Sequence, residues 1–259
     1  KRDWKQYTVR ERQSTPKTVS ASTIENNKEI FDDFWNTTLD IGRIPANSEF
    51  EHSEEMRRIA GSHMKAFQAL CNHYGETLFS TAQEARRNDL LVYFALSLFD
   101  KRQAYSQMPD GLKRDIKSFF QSITSAQEEA REILFSVGNP EVIQEACVAA
   151  QQQIKCGEYT EGHSFTFHKD FLNDLPPTLR IYIGCALQLY GDIEEIQLIK
   201  AHIRSGKVSL MRYKDWDKEV PLLTERIKIK LRELDIDFFD YVGDYEPTPL
   251  QNKLIFQID

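Results

Sequence analysis

What this sequence lacks narrows it first. Its 259 residues hold four cysteines, Cys71, Cys147, Cys156 and Cys185, and no two form a C-x-x-C pair. That argues against a disulfide framework and a cysteine-rich zinc site, and it fits a reducing, cytoplasmic setting. No apolar run approaches the roughly 20 residues a membrane-spanning helix needs. No signal peptide is visible, and the start at Lys1-Arg2-Asp3 without methionine reads as a chain whose N-terminal part lies upstream. Eleven glycines and nine prolines are too few for a collagen-like or low-complexity chain. The 41% hydrophobic, 28% charged and 11% aromatic content is globular, and the length suits one large domain or two smaller ones.

Enzyme signatures are missing too. There is no G-x-G-x-x-G, no Walker phosphate loop, no G-x-S-x-G and no H-E-x-x-H. A methyltransferase needs a glycine-rich turn after a first strand to bring its backbone to the cofactor, and nothing here supplies one. Asp174-Leu175-Pro176-Pro177-Thr178 is superficially similar to the D-P-P-Y motif of amino-methyltransferases. Leu175 is inserted, however, and no aromatic follows the prolines, which read more naturally as a helix start. His163 and His168 fall in a loop or strand. His63 and His73 are separated by about 1000° of helical rotation and point to different faces. Each reads as a structural or surface histidine, so no catalytic residue and no metal ligand is assigned.

Charge is present but uneven. The net charge of -7 conceals +4 over residues 1–20, -9 over 21–175, +4 over 176–232 and -6 over 233–259. A chain that meets a polyanion with its whole surface is usually basic throughout. This one can do so only through a local basic face, unless the blocks neutralise one another in the fold.

The periodicity predicts a predominantly α-helical α+β chain, with a helical body and a small C-terminal antiparallel β subdomain. Residues 1–20 read as a linker or tail and 21–80 as a small helix-turn-helix-like module. Residues 81–205 read as the helical body and 206–259 as the β-rich end. Helices are expected from Ser22 to Gly42, over 53–60, 62–73, 81–99, 109–120, 122–135 and 140–153, from Pro176 to Tyr190, and over 192–204. Phe165 and Phe167 alternate as in a short strand. So do Val208 and Leu210, then Ile227, Ile229 and Leu231, then Ile236 and Phe238; Leu254-Ile255-Phe256 could add another.

Three features suit nucleic acid. In helix 62–73, Met64, Phe67, Leu70 and Cys71 should pack inward, leaving Ser62, Lys65, Gln68 and Asn72 exposed. Those side chains can bond phosphates or base edges when a second helix lies in a major groove, although a solvated amphipathic helix has the same pattern. The second feature is Lys200, His202, Arg204, Lys207 and Arg212. Lys200 and Arg204 are i,i+4 neighbours on the expected helix, where cations near the C-terminus also complement the dipole. The third is Arg226-Ile227-Lys228-Ile229-Lys230-Leu231-Arg232. Alternation there puts four cations on one strand face over about 20 Å, enough to follow several phosphates. The competing reading is a hairpin in which Arg232–Asp235 and Lys230–Asp237 form cross-strand pairs. Asp215, Asp217, Glu225 and Lys228 loosely suggest a metal-dependent nuclease. A protein-docking module would instead expose an apolar patch around Phe165, Phe167 and Tyr182.

Four segments then carry a resemblance. They are Asn88-Asp89-Leu90-Leu91-Val92-Tyr93-Phe94-Ala95-Leu96-Ser97, Lys113-Arg114-Asp115-Ile116-Lys117-Ser118-Phe119-Phe120, Leu175 to Ala186, and Leu198 to Ser209. In that order they resemble the C-terminal region of the DNA phosphorothioation-associated methyltransferases, over residues 30–257. In that bacterial family the S-adenosylmethionine-binding domain precedes this region, so the resemblance implies no cofactor in this chain and no methyl transfer by its residues. It implies DNA modification and phage defence, with double-stranded DNA as partner and docking to restriction or modification subunits as the alternative. A second likeness rests on Gly42-Arg43-Ile44-Pro45, Glu49-Phe50 and Gly61-Ser62-x-x-Lys65-Ala66-Phe67. It is similar to a small helical repeat beside some homing endonucleases, which puts Lys65 and Gln68 in a groove-facing role.

Overall fold

A computed structural model describes residues 19–99, 104–243 and 245–257. The basic stretch read as a tail lies outside the described residues up to residue 18. The architecture is α+β and predominantly α-helical, with an antiparallel sheet in its C-terminal part. The chain divides into two compact units, residues 1–86 and 87–259.

The first unit is helical. Where one helix was expected from Ser22 to Gly42, the chain forms α1 (Ala21–Asn26) and α2 (Lys28–Ile41). Asn27 makes the break, because its side chain donates to the Thr23 carbonyl at 2.8 Å and competes with the helical ladder. Helices α3 (Ser53–Ala60) and α4 (His63–Tyr74) follow, separated by Gly61 and by Ser62, whose hydroxyl accepts from the Lys65 amide. The core gathers Phe31, Phe34 and Trp35 of α2 with Phe50, Met56 and Leu70. Met64, expected inside, is 53% exposed. His63 takes the inward position instead, because both ring nitrogens find partners there, Ser53 Oγ at 3.0 Å and the Pro45 carbonyl at 2.8 Å. Arg43 and Glu49 close the intervening loop with a two-pronged ion pair at 2.7 and 2.8 Å.

Helix α5 (Glu76–Leu96) carries the chain into the second unit. There α6 (Asp110–Phe119), α7 (Ile123–Ser136) and α8 (Pro140–Ile154) follow, capped respectively at Pro109, Ser122 and Asn139. Strands β1 (Glu158–Thr160) and β2 (Ser164–His168) come next, then α9 (Pro177–Tyr190). Pro176 and Pro177 open α9, as the proline pair indicated. Strands β3 (Leu198–His202), β4 (Lys207–Lys214), β5 (Leu222–Lys230) and β6 (Asp235–Asp240) complete an antiparallel sheet in sequence order. A two-residue β7 (Thr248–Pro249) adds to β5.

Two sequence expectations fail here for identifiable reasons. The helix expected over 192–204 is strand β3, so Lys200 and Arg204 are not helical neighbours. Leu198, Ile199, Ala201 and Ile203 are all buried. From Ile199 to Ile203 the chain alternates, with Lys200 and His202 on the second face, but Leu198 is buried on that second face and breaks the pattern at its start. Leu254-Ile255-Phe256 belongs to a 3₁₀ turn, Lys253–Phe256, in which the buried residues Lys253 and Phe256 are three apart, as one face of that helix requires.

One face of the sheet packs under α8 and α9, burying Phe165, Phe167, Ile199, Val208, Leu210, Ile227 and Ile229 with Ile143, Leu179 and Ile183. Burying each such side chain stabilises the fold by about 1.5–3 kcal/mol. The first unit has a less forgiving point at Gly42, which ends α2 at φ +63°. A Cβ there would lie 2.7 Å from Arg86 Cβ and 3.0 Å from the Ala82 carbonyl oxygen. Gly42→Ala is therefore expected to destabilise the protein by about 2–4 kcal/mol, read from denaturant midpoints, since strain and steric conflict add.

Candidate nucleic-acid interface

The sheet face turned away from α8 and α9 is polar and basic. Its composition follows from strand alternation: with Val208, Leu210, Ile227 and Ile229 committed to the core, Lys207, Ser209, Arg226, Lys228 and Lys230 must face the other way. Register then aligns them across strands. Thr166, Lys200, Ser209 and Lys228 sit side by side on four consecutive strands. Ser164, His202, Lys207 and Lys230 form the adjacent row. Leu198, Met211 and Arg226 form a third. Beyond it Tyr213, Leu223 and Phe256 build a small apolar cluster with Leu198 and Met211.

The cations of this region divide into two sets. Lys200, Lys207, Arg226 and Lys228 form no ion pair among the described residues. Lys228 Nζ lies 5.2 Å from the Phe239 ring centroid, and the Arg226 guanidinium 5.9 Å from that of Tyr241. Cation–π contact holds these groups in place without neutralising them. Lys230 is engaged, with its ammonium 2.9 Å from Asp235 and 2.7 Å from Asp237. The hairpin anticipated from the aspartates is present, shifted by two residues: Lys230 stands opposite Asp235 and Lys228 opposite Asp237. A shift of two keeps every side chain on its face but moves Arg232 out of the ladder. Arg232 instead donates to the Arg204 carbonyl at 3.3 Å, so these two exposed arginines meet at the tips of neighbouring hairpins.

Arg212 does not belong to this face. It points to the helix side of β4, where it pairs with Glu195 at 2.7 Å and Glu225 at 2.9 Å. A bulge between Arg212 and Tyr213 resets the register beyond it. The nuclease set is dispersed by the same geometry. Glu225 is held by Arg212, Asp215 by Lys218 at 3.0 Å, and Lys228 stands on the opposite face. Among the described residues no three His, Cys, Asp or Glu side chains gather as a metal site. Phe165, Phe167 and Tyr182, candidates for an exposed docking patch, are core residues. An apolar groove of about 650 Å³ lies elsewhere in this unit, lined by Leu134, Phe135, Leu189, Leu231 and Leu234.

Lys65 and Gln68 are exposed on α4 of the first unit, as is Asn72, with α3 and α4 joined as a tight helix-turn-helix. Sequence reasoning missed Thr166 and Ser209 as parts of the basic face. The alternation of Ser164-Phe165-Thr166-Phe167 and of Val208-Ser209-Leu210 carried that signal. All four cysteines are free thiols, and burial pushes Cys147 up to about 12 and Cys185 to about 11. Among the described residues no helix is long and apolar enough to cross a membrane. No family model, curated protein or solved structure matches this chain.

His202 reports on the field of the face. Burial, followed by Lys200, His163, Lys228 and Lys207 around it, pulls its pKa from 6.5 down to about 4, and its Nε2 shares a hydrogen bond with Ser209 Oγ at 3.0 Å. The folded protein therefore binds fewer protons here than the unfolded chain between those values, and stability drops as pH falls through that window. Denaturant unfolding from pH 7 to 4 is expected to lose less stability in His202→Gln than in the native protein.

Proposed function

We propose that this chain is a non-catalytic, DNA-binding region of a phosphorothioation-linked DNA-modification or phage-defence protein, acting in the cytoplasm without a cofactor of its own. The reading rests on one observation: Lys200, Lys207, Arg226 and Lys228 share an open sheet face and have no carboxylate partner among the described residues. An unneutralised basic face within an otherwise acidic chain attracts a polyanion locally and resists nonspecific coating. Rows on a strand lie about 7 Å apart and strands about 4.8 Å apart, a grid that suits successive backbone phosphates. The resemblance in segments 88–97, 113–120, 175–186 and 198–209 supplies the setting. Arg204 and Arg232 at the hairpin tips extend the face at one end. In the first unit, Lys65 and Gln68 of α4 offer a separate surface for groove contacts.

Salt dependence is the test. Duplex affinity measured by fluorescence anisotropy should fall linearly with salt on logarithmic axes, with a slope of about -0.9 for each phosphate neutralised. Replacing both Lys200 and Lys228 by glutamine should flatten that slope by about two units. Arg212→Gln, on the opposite face and already paired, should leave it unchanged. Lys65→Ala with Gln68→Ala should weaken discrimination between duplex sequences more than it changes the slope. Failure of any duplex to bind at low salt removes the reading.

A further inference from the structure

The basic face is not flat. A recess of about 300 Å³ opens in it, with Thr166, Lys200, Ser209 and Lys228 on its floor and Arg226 to one side. The 3₁₀ turn containing Phe256, together with Leu250, closes the apolar end, while Glu158 on β1 supplies the carboxylate at its rim. The size is at the small end of ligand pockets, far below what a length of duplex backbone would occupy.

Two hydroxyl-bearing residues of this recess are buried. Thr166 is 4% and Ser209 2% exposed. The Thr166 hydroxyl makes no hydrogen bond among the described residues and is open to the recess. Ser209 Oγ is held by His202, which burial keeps neutral. In the tautomer with the proton on Nε2, His202 donates to Ser209 and leaves the hydroxyl hydrogen of Ser209 to be donated onward. In the same row Lys200 lies between the two hydroxyls and Lys228 beyond Ser209. Asp237, which stands opposite Lys228, is drawn to Lys230. With His202 neutral, the recess carries three positive charges against the single one of Glu158.

We propose that this recess binds a phosphomonoester. Hydroxyl, ammonium, hydroxyl and ammonium in one row, with a guanidinium beside them, match an oxyanion that presents three free oxygens from one centre. A phosphodiester within a strand offers only two such oxygens, so it can meet the ammonium groups but not the two hydroxyls as well. Two sources share this chemistry, a free mononucleotide and the phosphorylated 5′ end of DNA. The site uses Lys200 and Lys228 in common with the duplex-binding reading, but Thr166 and Ser209 belong to the monoester alone.

The experiment compares deoxyadenosine 5′-monophosphate, deoxyadenosine, and one short duplex with either a 5′-phosphate or a 5′-hydroxyl. The full chain is used, with calorimetric affinities and the His202 ring resonances as readouts. The monophosphate should bind and shift the His202 resonances, while deoxyadenosine should do neither. If the source is a DNA end, the 5′-phosphorylated duplex binds at least about tenfold tighter than the 5′-hydroxyl duplex. If the source is a free nucleotide, the two duplexes bind alike and the monophosphate still binds. Thr166→Val, and independently Ser209→Ala, should weaken monophosphate binding about tenfold while the salt slope of the 5′-hydroxyl duplex stays as it was. Unfolding midpoints confirm that each variant is folded. Absence of monophosphate binding overturns the inference and leaves the duplex reading standing. Monophosphate binding without any duplex affinity does the reverse.

Discussion

Strand alternation against a helical roof governs the second unit. Phe165, Phe167, Ala201, Val208, Leu210, Ile227 and Ile229 must meet α8 and α9, and every neighbour of those residues is thereby sent to the other side. A slip of one residue in β4 or β5 would drive lysines into the core and valine and isoleucine into water. The basic face is therefore fixed by the core beneath it. The bulge at Arg212 and Tyr213 marks where this rule is relaxed. On its far side Tyr213 and Leu223 form an apolar cluster with Phe256, and Arg212 turns toward the carboxylates of Glu195 and Glu225.

Electrostatics within this frame are local. The acidic C-terminal stretch could have cancelled the preceding basic block, but its first aspartates, Asp235 and Asp237, both converge on Lys230. Hydrogen bonds to Asp237 first and Asp235 second hold the Lys230 ammonium more firmly protonated, and the bond from Lys230 is the main cause that lowers Asp235. Lys228 and Arg226 meet aromatic rings on the same hairpin, which position a cation while leaving its field intact. Edge pairing and central freedom thus coexist on neighbouring residues of one strand.

The sequence was legible where a single pattern decided the outcome. Helices α3 and α4 followed from a cap, a glycine and the 3.6 period, and α9 from its two prolines. The β4–β6 meander followed from strict alternation. It was opaque where two patterns overlapped. β3 is short and carries Leu198 buried on its second face, so its alternation is cut to a few residues and imitates a helix, which misplaced Lys200 and Arg204. Met64 and His63 exchanged places because hydrogen bonds to Ser53 and Pro45, invisible in the periodicity, made the imidazole the better buried residue. The hairpin register depended on the number of residues in the turn, 231–234, and so the lysine that pairs with the aspartates was found while Arg232 was wrongly included. For the candidate interface, the residue types were readable but their juxtaposition came from strand pairings, Thr166 with Lys200, Lys200 with Ser209 and Ser209 with Lys228, whose register the local pattern does not give.

Tyr182 ties these layers together. Its side chain is buried under α9, and its hydroxyl reaches the carbonyls of both His202 and Lys207, at 2.9 and 3.0 Å, where β3 turns into β4. A phenol anchored at that turn removes conformational freedom from the hairpin on folding. Lys200 and Ser209, on the two arms of the hairpin, are thus fixed opposite each other, and the entropy of ordering their backbone is spent in folding.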